Sequence, residues 1–499
     1  MTLTAPSPRR TALQAVLFDM DGTLVDTEGL WWEAVEQVAG RPLTEADRPD
    51  VLGRPVEHTA AWLAAEGTGA ADELAAALHR EFADRVRAGV VPRPGALALL
   101  SSLARDGVPT ALVTASPRAV ADTVLAALGA LGAPAFAVSV TADDTERTKP
   151  EPDPYLAACR ALAVDPARCV AVEDTPTGVG SAEAAGCAVL AVPSLAPIDA
   201  APGRTVLGSL TEVTPDRLRA MTADGPRLKV MSWNLWLAGA MVDDGRAKQV
   251  RAIRDSGADV VGLQEAGPQA TDELAEELGW HGHHAGDNLG IVSRHPIVAR
   301  LGDPDVGFYG AAGVRIRTDE GHEVDLWTAH LHYAPYGPYE ADFDGLDAEE
   351  LVAHEDVRLG QMRDTLERIA AAAGESRPVV LVGDFNAPSH LDRTDVPWPV
   401  TLAAEAAGLR DSYREAHPDP EREPGHTWSP IHVMHPDEGS GSGRPEPQDR
   451  IDFVLHNGRG LQVLDSTTLV AGSPNPWPEV AANVWPSDHA AVLTTFVLG

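Results

Sequence analysis

Two sets of residues in this 499-residue chain have the types and spacing that chemistry at phosphorus requires. The first is Asp19-Met20-Asp21-Gly22-Thr23, followed by Thr114, Ser116, Lys149, Glu173 and Asp174. Phosphoryl transfer through a covalent aspartyl phosphate needs one carboxylate to attack phosphorus and a second to shuttle the leaving-group proton. It also needs positive charge on the equatorial oxygens. Asp19 reads as the nucleophile and Asp21 as the acid/base. Gly22 permits the tight turn after a strand, Thr114 with backbone N–H groups holds phosphoryl oxygens, and Lys149 supplies charge. Asp174, with Glu173, completes a magnesium site. The second set is dispersed: Asn234, Glu265, His330, Asp384, Asn386, Asp452, Asp488 and His489. Attack of water on a phosphodiester needs a divalent metal, a base or orienting pair, and donors for developing charge, and these residue types can supply those parts.

The elements that position the first set are short apolar runs with amphipathic helices between them: Ala15 to Phe18, Thr110 to Val113, Phe136 to Val140, Cys169 to Val172 and Ala188 to Val192. Continuous apolar strands alternating with helices predict a parallel sheet covered on both faces, with the ligand crevice beyond the strands' C-terminal ends. Thr27 to Val91 has helical spacing, as in Trp32, Val35 and Val38, and reads as a helical insertion that shields the crevice; Gly53-Arg54 is a candidate loop reaching the site. Trp31 and Trp32 are expected in the core of that insertion. Val206 to Leu210 is expected as a last edge strand and Thr214 to Met221 as a closing helix, with 222–227 as a linker. From Leu228 the pattern changes to alternating strands such as Glu323 to Leu331, Arg450 to Leu455 and Ala490 to Leu498, with helices at Gly245 to Ser256 and Leu351 to Ala373. One wet face per strand and enough strands for two packed sheets predict a four-layer α/β sandwich.

Composition sets the remaining bounds. The length exceeds what one core usually supports, so two domains are expected. No long apolar run and no signal-peptide core appear, which makes cytoplasmic location the expectation. Cys159, Cys169 and Cys187 lack metal-ligand spacing and read as inert thiols. A net charge of −35 favours small phosphorylated substrates over long nucleic acid. His281, His283 and His284 read as exposed loop residues rather than a zinc site. Tyr333, Tyr336 and Tyr339 are candidates for a substrate mouth or a structural patch. The Gly/Ser/Pro-rich stretch 439–449 reads as a loop before Asp452.

The motifs Asp19-Met20-Asp21-Gly22-Thr23, Leu112-Val113-Thr114-Ala115-Ser116, Lys149-Pro150-Glu151-Pro152-Asp153 and Val172-Glu173-Asp174 stand in order. Residues 11–221 thereby resemble the haloacid dehalogenase (HAD) superfamily, in the subgroup with a helical cap after the first motif. The resemblance implies a Rossmann-like core, a cap at 27–91, phosphate binding by Thr114, Ser116 and Lys149, and a metal held by Asp19, Asp21, Glu173 and Asp174. Asp21 implies a phosphatase or phosphomutase rather than a dehalogenase. Residues 228–499 carry Ser-Trp-Asn-Leu, Gly-Leu-Gln-Glu, Thr-Ala-His-Leu, Gly-Asp-Phe-Asn, Arg-Ile-Asp-Phe and Pro-Ser-Asp-His. This set resembles the endonuclease/exonuclease/phosphatase superfamily. By that resemblance Glu265 is the main metal ligand, with Asn234 and Asp488 beside it. Asp452 orients His489, His489 and Asp384 handle the attacking water, and His330 and Asn386 stabilise the transition state or leaving oxygen. Trp236 and His330 depart from the Asp and Tyr usual in abasic-site endonucleases, which draws the chain toward the phosphatase, sphingomyelinase and deoxyribonuclease branches.

The resulting expectation is a bifunctional hydrolase with one Mg2+ site per domain, Mn2+ being the alternative ion. A phosphomonoesterase precedes a phosphodiesterase in the chain, and the two are expected to act in sequence on one small molecule without membrane attachment. The alternative is a nuclease with a regulatory or unrelated phosphatase domain.

Overall fold

A computed structural model describes residues 13–499 except 53, 55, 195, 202, 224, 375 and 436–442. Residues 11–12, Gly53 of the candidate loop and positions 439–442 of the Gly/Ser-rich stretch therefore lie outside the described residues. The chain divides into two compact units, 1–223 and 224–499.

Unit 1 is built on strands β1 (Ala15–Phe18), β2 (Thr110–Val113), β3 (Val138–Val140), β4 (Cys169–Glu173), β5 (Ala188–Ala191) and β6 (Arg204–Val206). They form one parallel sheet in the order β3-β2-β1-β4-β5-β6. Alternate residues of each strand enter opposite cores. Val16, Phe18, Leu112, Val170 and Val172 pack on one side, and Ala15, Leu17, Ala111, Val113, Ala171 and Val189 on the other. This is why the strands read as unbroken apolar runs. Four helices, Glu28–Ala39, Arg48–Val51, Val56–Ala65 and Ala71–Ala88, follow β1 and close a separate small core around Val35, Leu63 and Leu78. Trp31 and Trp32 are partly buried against that core, and the Trp31 indole N–H donates to the Val51 carbonyl at 2.8 Å. The last strand differs from expectation. It lies at Arg204–Val206, while 210–212 form a short 3-10 turn because the Ser209 hydroxyl accepts from the Thr211 N–H and caps it.

Unit 2 adds β7 (Arg227–Asn234), β8 (Val260–Gln264), β9 (His281–Ala285), β10 (Leu289–Ser293), β11 (Ile297–Gly302), β12 (Gly310–Arg317), β13 (Glu323–His330), β14 (Val379–Asp384), β15 (Arg410–Asp411), β16 (Asp452–His456), β17 (Leu461–Leu469) and β18 (Ala491–Leu498). Two mixed sheets result, ordered β17-β18-β7-β8-β10-β9 and β11-β12-β13-β14-β16-β15. Leu228, Val230 and Val260 from one sheet meet Val314, Leu326, Val380 and Val454 from the other in a dry interior. The outer faces are covered by helices Gly245–Ser256 and Gly267–Leu278 on one side and Asp356–Ala373 and Pro399–Ala406 on the other. The result is a four-layer α/β sandwich. The expected helix from Leu351 starts at Ala348, where the Asp347 carboxylate accepts from the Glu349 and Glu350 N–H groups, and it gives way to a second helix after His354. The three histidines at 281–284 lie on strand β9 rather than in a loop, where His283 is buried while His281 at the strand's start and His284 on the opposite face are exposed. No helix among the described residues is long and apolar enough to cross a membrane.

Candidate active sites

In unit 1 the chain leaves β1 at Asp19 and turns at Gly22, whose φ is +82°. A Cβ there would lie 2.0 Å from an Asp174 oxygen, so only glycine lets the turn approach the carboxylate after β4. Lys149 binds both flanks of this crevice. Its ammonium donates to Asp19 Oδ1 and Glu173 Oε1, each at 2.6 Å, and to the Val113 carbonyl at 2.9 Å. Burial would lower the Lys149 pKa, but the Asp19 and Glu173 carboxylates outweigh it and hold the ammonium well above its ordinary value. Asp21 accepts from the hydroxyls of Thr27 and Ser116 at 2.7 Å and Thr114 at 3.2 Å. Burial, then Asp19, raises its pKa. Asp174 accepts from Thr23 at 3.2 Å and Ser194 at 2.5 Å, and burial with Asp19 nearby pushes it up to about 8.

All seven residues read from the sequence of unit 1 thus converge. Thr27, Tyr155 and Ser194 were not foreseen. Tyr155 donates to Glu173 Oε1 at 2.5 Å. Gly178 leaves room for the same carboxylate, since a Cβ there would fall 2.0 Å from Glu173 Oε2.

In unit 2 strand register does the assembly. His330 pairs with Asp384 across β13 and β14, and Asp384 with Asp452 across β14 and β16, so three neighbouring strands end in one cluster. Asn234 at the end of β7 reaches over from the other sheet, its amide donating to Asp384 Oδ2 at 3.0 Å and Glu265 Oε1 at 3.3 Å. The His489 ring meets Asp452 Oδ2 through Nδ1 at 2.8 Å and places Nε2 3.7 Å from Asp384 Oδ2. The Asn386 N–H donates to Asp384 Oδ1 at 2.9 Å and its amide to the Leu331 carbonyl at 3.0 Å. Asp488, pushed up to about 7 by burial, faces the charges of His489, Glu265 and Asp384. Burial likewise raises Asp384 to about 7. Burial alone would lower His489, but Asp452, Asp384 and Asp488 together hold its imidazole well above the usual value.

Two further features frame this centre. Glu265 is gripped from behind a left-handed turn: Trp236, Leu237 and Ala238 have φ between 49° and 58°, and the Leu237 N–H donates to Glu265 Oε2 at 2.8 Å. Left-handed geometry costs roughly 1–2 kcal/mol per non-glycine residue, so the rest of the fold must hold this turn in place. Asn288 is the second. Its Oδ1 accepts from the Glu265 N–H at 2.8 Å, which fixes the amide, and its Nδ2 donates to the Phe308 carbonyl and to His330 Nδ1, both at 2.6 Å. His330 therefore offers a lone pair at Nδ1 and carries its proton on Nε2, 3.6 Å from Asp384 Oδ2. Burial, then His489 and His332, lowers its pKa to about 3. Of the tyrosine cluster only Tyr333 is exposed; Tyr336 donates to Asp449 at 3.3 Å and Tyr339 to Glu446, both partly buried.

Both centres have the donors of a hard cation. Ligand atoms of Asp19, Glu173 and Asp174 lie within 4.8 Å of one another, as do those of Asp384, Asp452 and His489, a different set from the expected ligands Asn234, Glu265 and Asp488 and one in which His489 already bonds Asp452. Asp19 Oδ2, Asp452 Oδ1 and Asp488 Oδ1 are buried acceptors with no partner, an arrangement that a divalent ion with oxygen ligands satisfies.

Fold and sites together define a hydrolase acting on phosphate ester bonds. The chain belongs to the Endonuclease/Exonuclease/phosphatase family, whose model matches residues 231–489, and through residues 13–186 to the haloacid dehalogenase-like hydrolases. It is similar to hexitol phosphatase A of Escherichia coli (strain K12), with 37% identity over 211 residues, 40% of this chain and 92% of that protein. The validoxylamine A 7'-phosphate phosphatase of Streptomyces hygroscopicus subsp. limoneus is 34% identical over 205 residues, 40% of this chain and 95% of that protein. An uncharacterised protein of Caenorhabditis elegans is 32% identical over 301 residues, 55% of this chain and 92% of its own length.

Proposed function

We propose that this chain is a bifunctional magnesium-dependent phosphoesterase in which unit 2 cleaves a small phosphodiester and unit 1 dephosphorylates the monoester released. The observation that carries the reading is the presence of two complete constellations of complementary chemistry on one chain. The names of the two phosphatase relatives, for a hexitol and for validoxylamine A 7'-phosphate, support a small phosphomonoester for unit 1.

In unit 1, Asp19 has one oxygen on Lys149 and the other without a partner, and it attacks phosphorus to form an aspartyl phosphate. Asp21, its pKa raised, gives its proton to the departing alkoxide and then takes one from the water that hydrolyses the intermediate. Lys149 neutralises the equatorial oxygens, while Thr114 and Ser116 orient Asp21 and border the phosphate. Asp19, Glu173 and Asp174 would hold Mg2+, the Asp21 carboxylate being engaged by Thr27, Thr114 and Ser116. In unit 2, Glu265, Asn234 and Asp488 would hold it. The bound ion supplies charge neutralisation at phosphorus in each case. The Asp384–His489 pair receives the proton of the attacking water, Asp452 stabilising the imidazolium through Nδ1. His330 donates its Nε2 proton in a hydrogen bond to a phosphate oxygen, and Asn386 holds the Asp384 loop in register.

The test compares wild type, Asp19→Asn and His489→Ala with magnesium on a panel of small diesters and monoesters, following alcohol and inorganic phosphate separately. Asp19→Asn is expected to cleave a diester and stop at the monoester, and His489→Ala to process the monoester alone. Activities that share no substrate would refute the sequence of steps.

A further inference from the structure

Around the groups that face phosphorus, unit 2 carries two arms of aromatic side chains, each with a member open to solvent. On the His330 side, the Phe308 and Tyr309 rings pack against the His330 ring at 6.0 and 5.2 Å, and Tyr309 continues to Tyr333 at 6.4 Å. On the His489 side, Trp428 packs on His489 at 5.0 Å and His432 on Trp428 at 5.1 Å. Trp477 then meets His432 at 6.1 Å and Trp236 at 6.0 Å. Phe308, Tyr333 and Trp477 are 49%, 61% and 44% exposed, and they are the only aromatic residues among the exposed large hydrophobics of the described chain. Exposed aromatics gathered at one catalytic mouth, with none elsewhere among the described residues, mark a contact surface rather than ordinary surface scatter. The left-handed turn that grips Glu265 also presents Leu237, 56% exposed, at the same mouth.

Charge narrows the ligand further. Among the described residues no lysine or arginine is hydrogen-bonded or ion-paired to Asn234, Glu265, His330, Asp384, Asn386, Asp452, Asp488 or His489. Unit 1 by contrast places Lys149 on two of its carboxylates. A substrate with several phosphates would find no lysine or arginine bonded to these groups to meet the additional charge, the His489 imidazole being engaged by Asp452.

We infer, building on the reading of unit 2 as a metal-dependent phosphodiesterase, that its substrate is a phosphodiester with a single phosphate anion whose ester group is aromatic or apolar. That group is seated on the Phe308–Tyr309–Tyr333 and Trp236–Trp477 arms, and these residues set specificity.

The experiment measures kcat/KM of the full-length protein with magnesium for methyl, hexyl and phenyl 4-nitrophenyl phosphate, and for the 4-nitrophenyl ester of thymidine 5'-phosphate with and without a 3'-phosphate. The phenyl and hexyl esters are expected to exceed the methyl ester by about tenfold or more, and the 3'-phosphate to lower the rate constant. Phe308→Ala and Trp477→Ala, with unfolding midpoints checked against wild type, are expected to narrow the phenyl-to-methyl ratio, and Trp477→Phe to keep it. Equal rates for methyl and phenyl esters, a ratio unmoved in both alanine variants, or preference for the 3'-phosphorylated ester would overturn the inference. Monoester turnover without cleavage of any diester would overturn the phosphodiesterase reading beneath it. A further arm compares monomeric short-chain phosphatidylcholine with vesicles of the long-chain lipid. Cleavage only of soluble diesters places the apolar group on a small molecule, and a gain on vesicles places it on a lipid.

Discussion

Asn288→Asp tests the hydrogen-bond lock on His330 with almost no change of shape. The substitution exchanges one NH2 for an oxygen. The acceptor for the Glu265 N–H stays, but the two contacts at 2.6 Å, to the Phe308 carbonyl and to His330 Nδ1, become acceptor against acceptor. His330 relieves one by moving its proton to Nδ1; the Phe308 carbonyl has no such remedy. One unsatisfied polar contact costs about 1–3 kcal/mol, and in a unit of this size each kcal/mol lowers the unfolding midpoint by roughly 2–4 °C. The catalytic consequence is larger. With the proton on Nδ1, Nε2 has none to give a phosphate oxygen, and loss of a donor of this kind lowers kcat by roughly 100- to 1,000-fold. Asn288→Leu separates the two effects, because it removes all three hydrogen bonds yet leaves His330 free to keep its Nε2 proton. The Leu variant should therefore be the less stable and the Asp variant the less active. Diester kcat at saturating magnesium, thermal unfolding, and two-bond 1H–15N correlation of the His330 ring are the assays. An Asp variant that retains the Nε2–H tautomer, or that turns over faster than the Leu variant, would refute the reasoning.

Three other outcomes are expected. Lys149→Met removes the one ammonium that bridges Asp19 and Glu173, so monoester hydrolysis should fall by roughly 100- to 1,000-fold while diester cleavage persists; the two rates are read from phosphate and alcohol release. Magnesium binding at pH 7 should expel protons, since burial and Asp19 hold Asp174 at about 8 and a cation displaces that proton; calorimetry in buffers of different ionisation enthalpy should show a release that shrinks toward about pH 9. His283 is pushed down to about 4 by burial, then by Arg300 and His284, so the folded state binds its proton less readily than the unfolded state, whose value is about 6.5. Its stability contribution is present above about pH 6.5 and lost as pH falls through about 4, and His283→Gln should flatten that limb of a urea-unfolding series followed by tryptophan fluorescence; an unchanged slope rejects the assignment.

The parts of this structure legible in the sequence are those whose physical cause is local. β1 is a four-residue apolar run and β2 a three-residue one after Thr110, both buried on both faces, and a carboxylate or hydroxyl following such a run emerges at the C-terminal end of the strand, as Asp19 and Thr114 do. β6 carries one apolar residue in Arg204-Thr205-Val206 and is half-buried, so its pattern was outweighed by the more apolar stretch after it, which the Ser209 cap turns into a 3-10 segment. Asn288 was invisible for a different reason. It sits in the turn between β9 and β10, where an Asn needs no explanation beyond turn chemistry, and its partner His330 lies 42 residues away. Tyr333, Tyr336 and Tyr339 share a spacing of three that suggests one patch. The helical turn at Gly337–Tyr339 takes the latter two toward Asp449 and Glu446 and leaves Tyr333 alone at the rim.

The two centres differ in how they meet charge on phosphorus, and on the proposed reading the difference orders the reaction. Each gathers four carboxyl groups, Asp19, Asp21, Glu173 and Asp174 in unit 1 and Glu265, Asp384, Asp452 and Asp488 in unit 2, but only unit 1 has a lysine among them. A phosphodiester carries one negative charge, and cleavage yields a monoester that approaches two at neutral pH. On the proposed reading unit 2 meets the product's second charge with no lysine or arginine bonded to its catalytic groups, its His489 imidazolium being engaged by Asp452, which weakens product binding relative to substrate and favours release. Unit 1 has Lys149 to receive that dianion. The same monoester should therefore inhibit diester cleavage with an inhibition constant above the diester KM, and should compete at unit 1 at concentrations near its own KM. Full inhibition curves on Asp19→Asn, which isolates diester cleavage, and on His489→Ala, which isolates monoester hydrolysis, test this. Tighter inhibition of the diester reaction than of the monoester reaction would refute the charge argument and with it the proposed direction of the sequence.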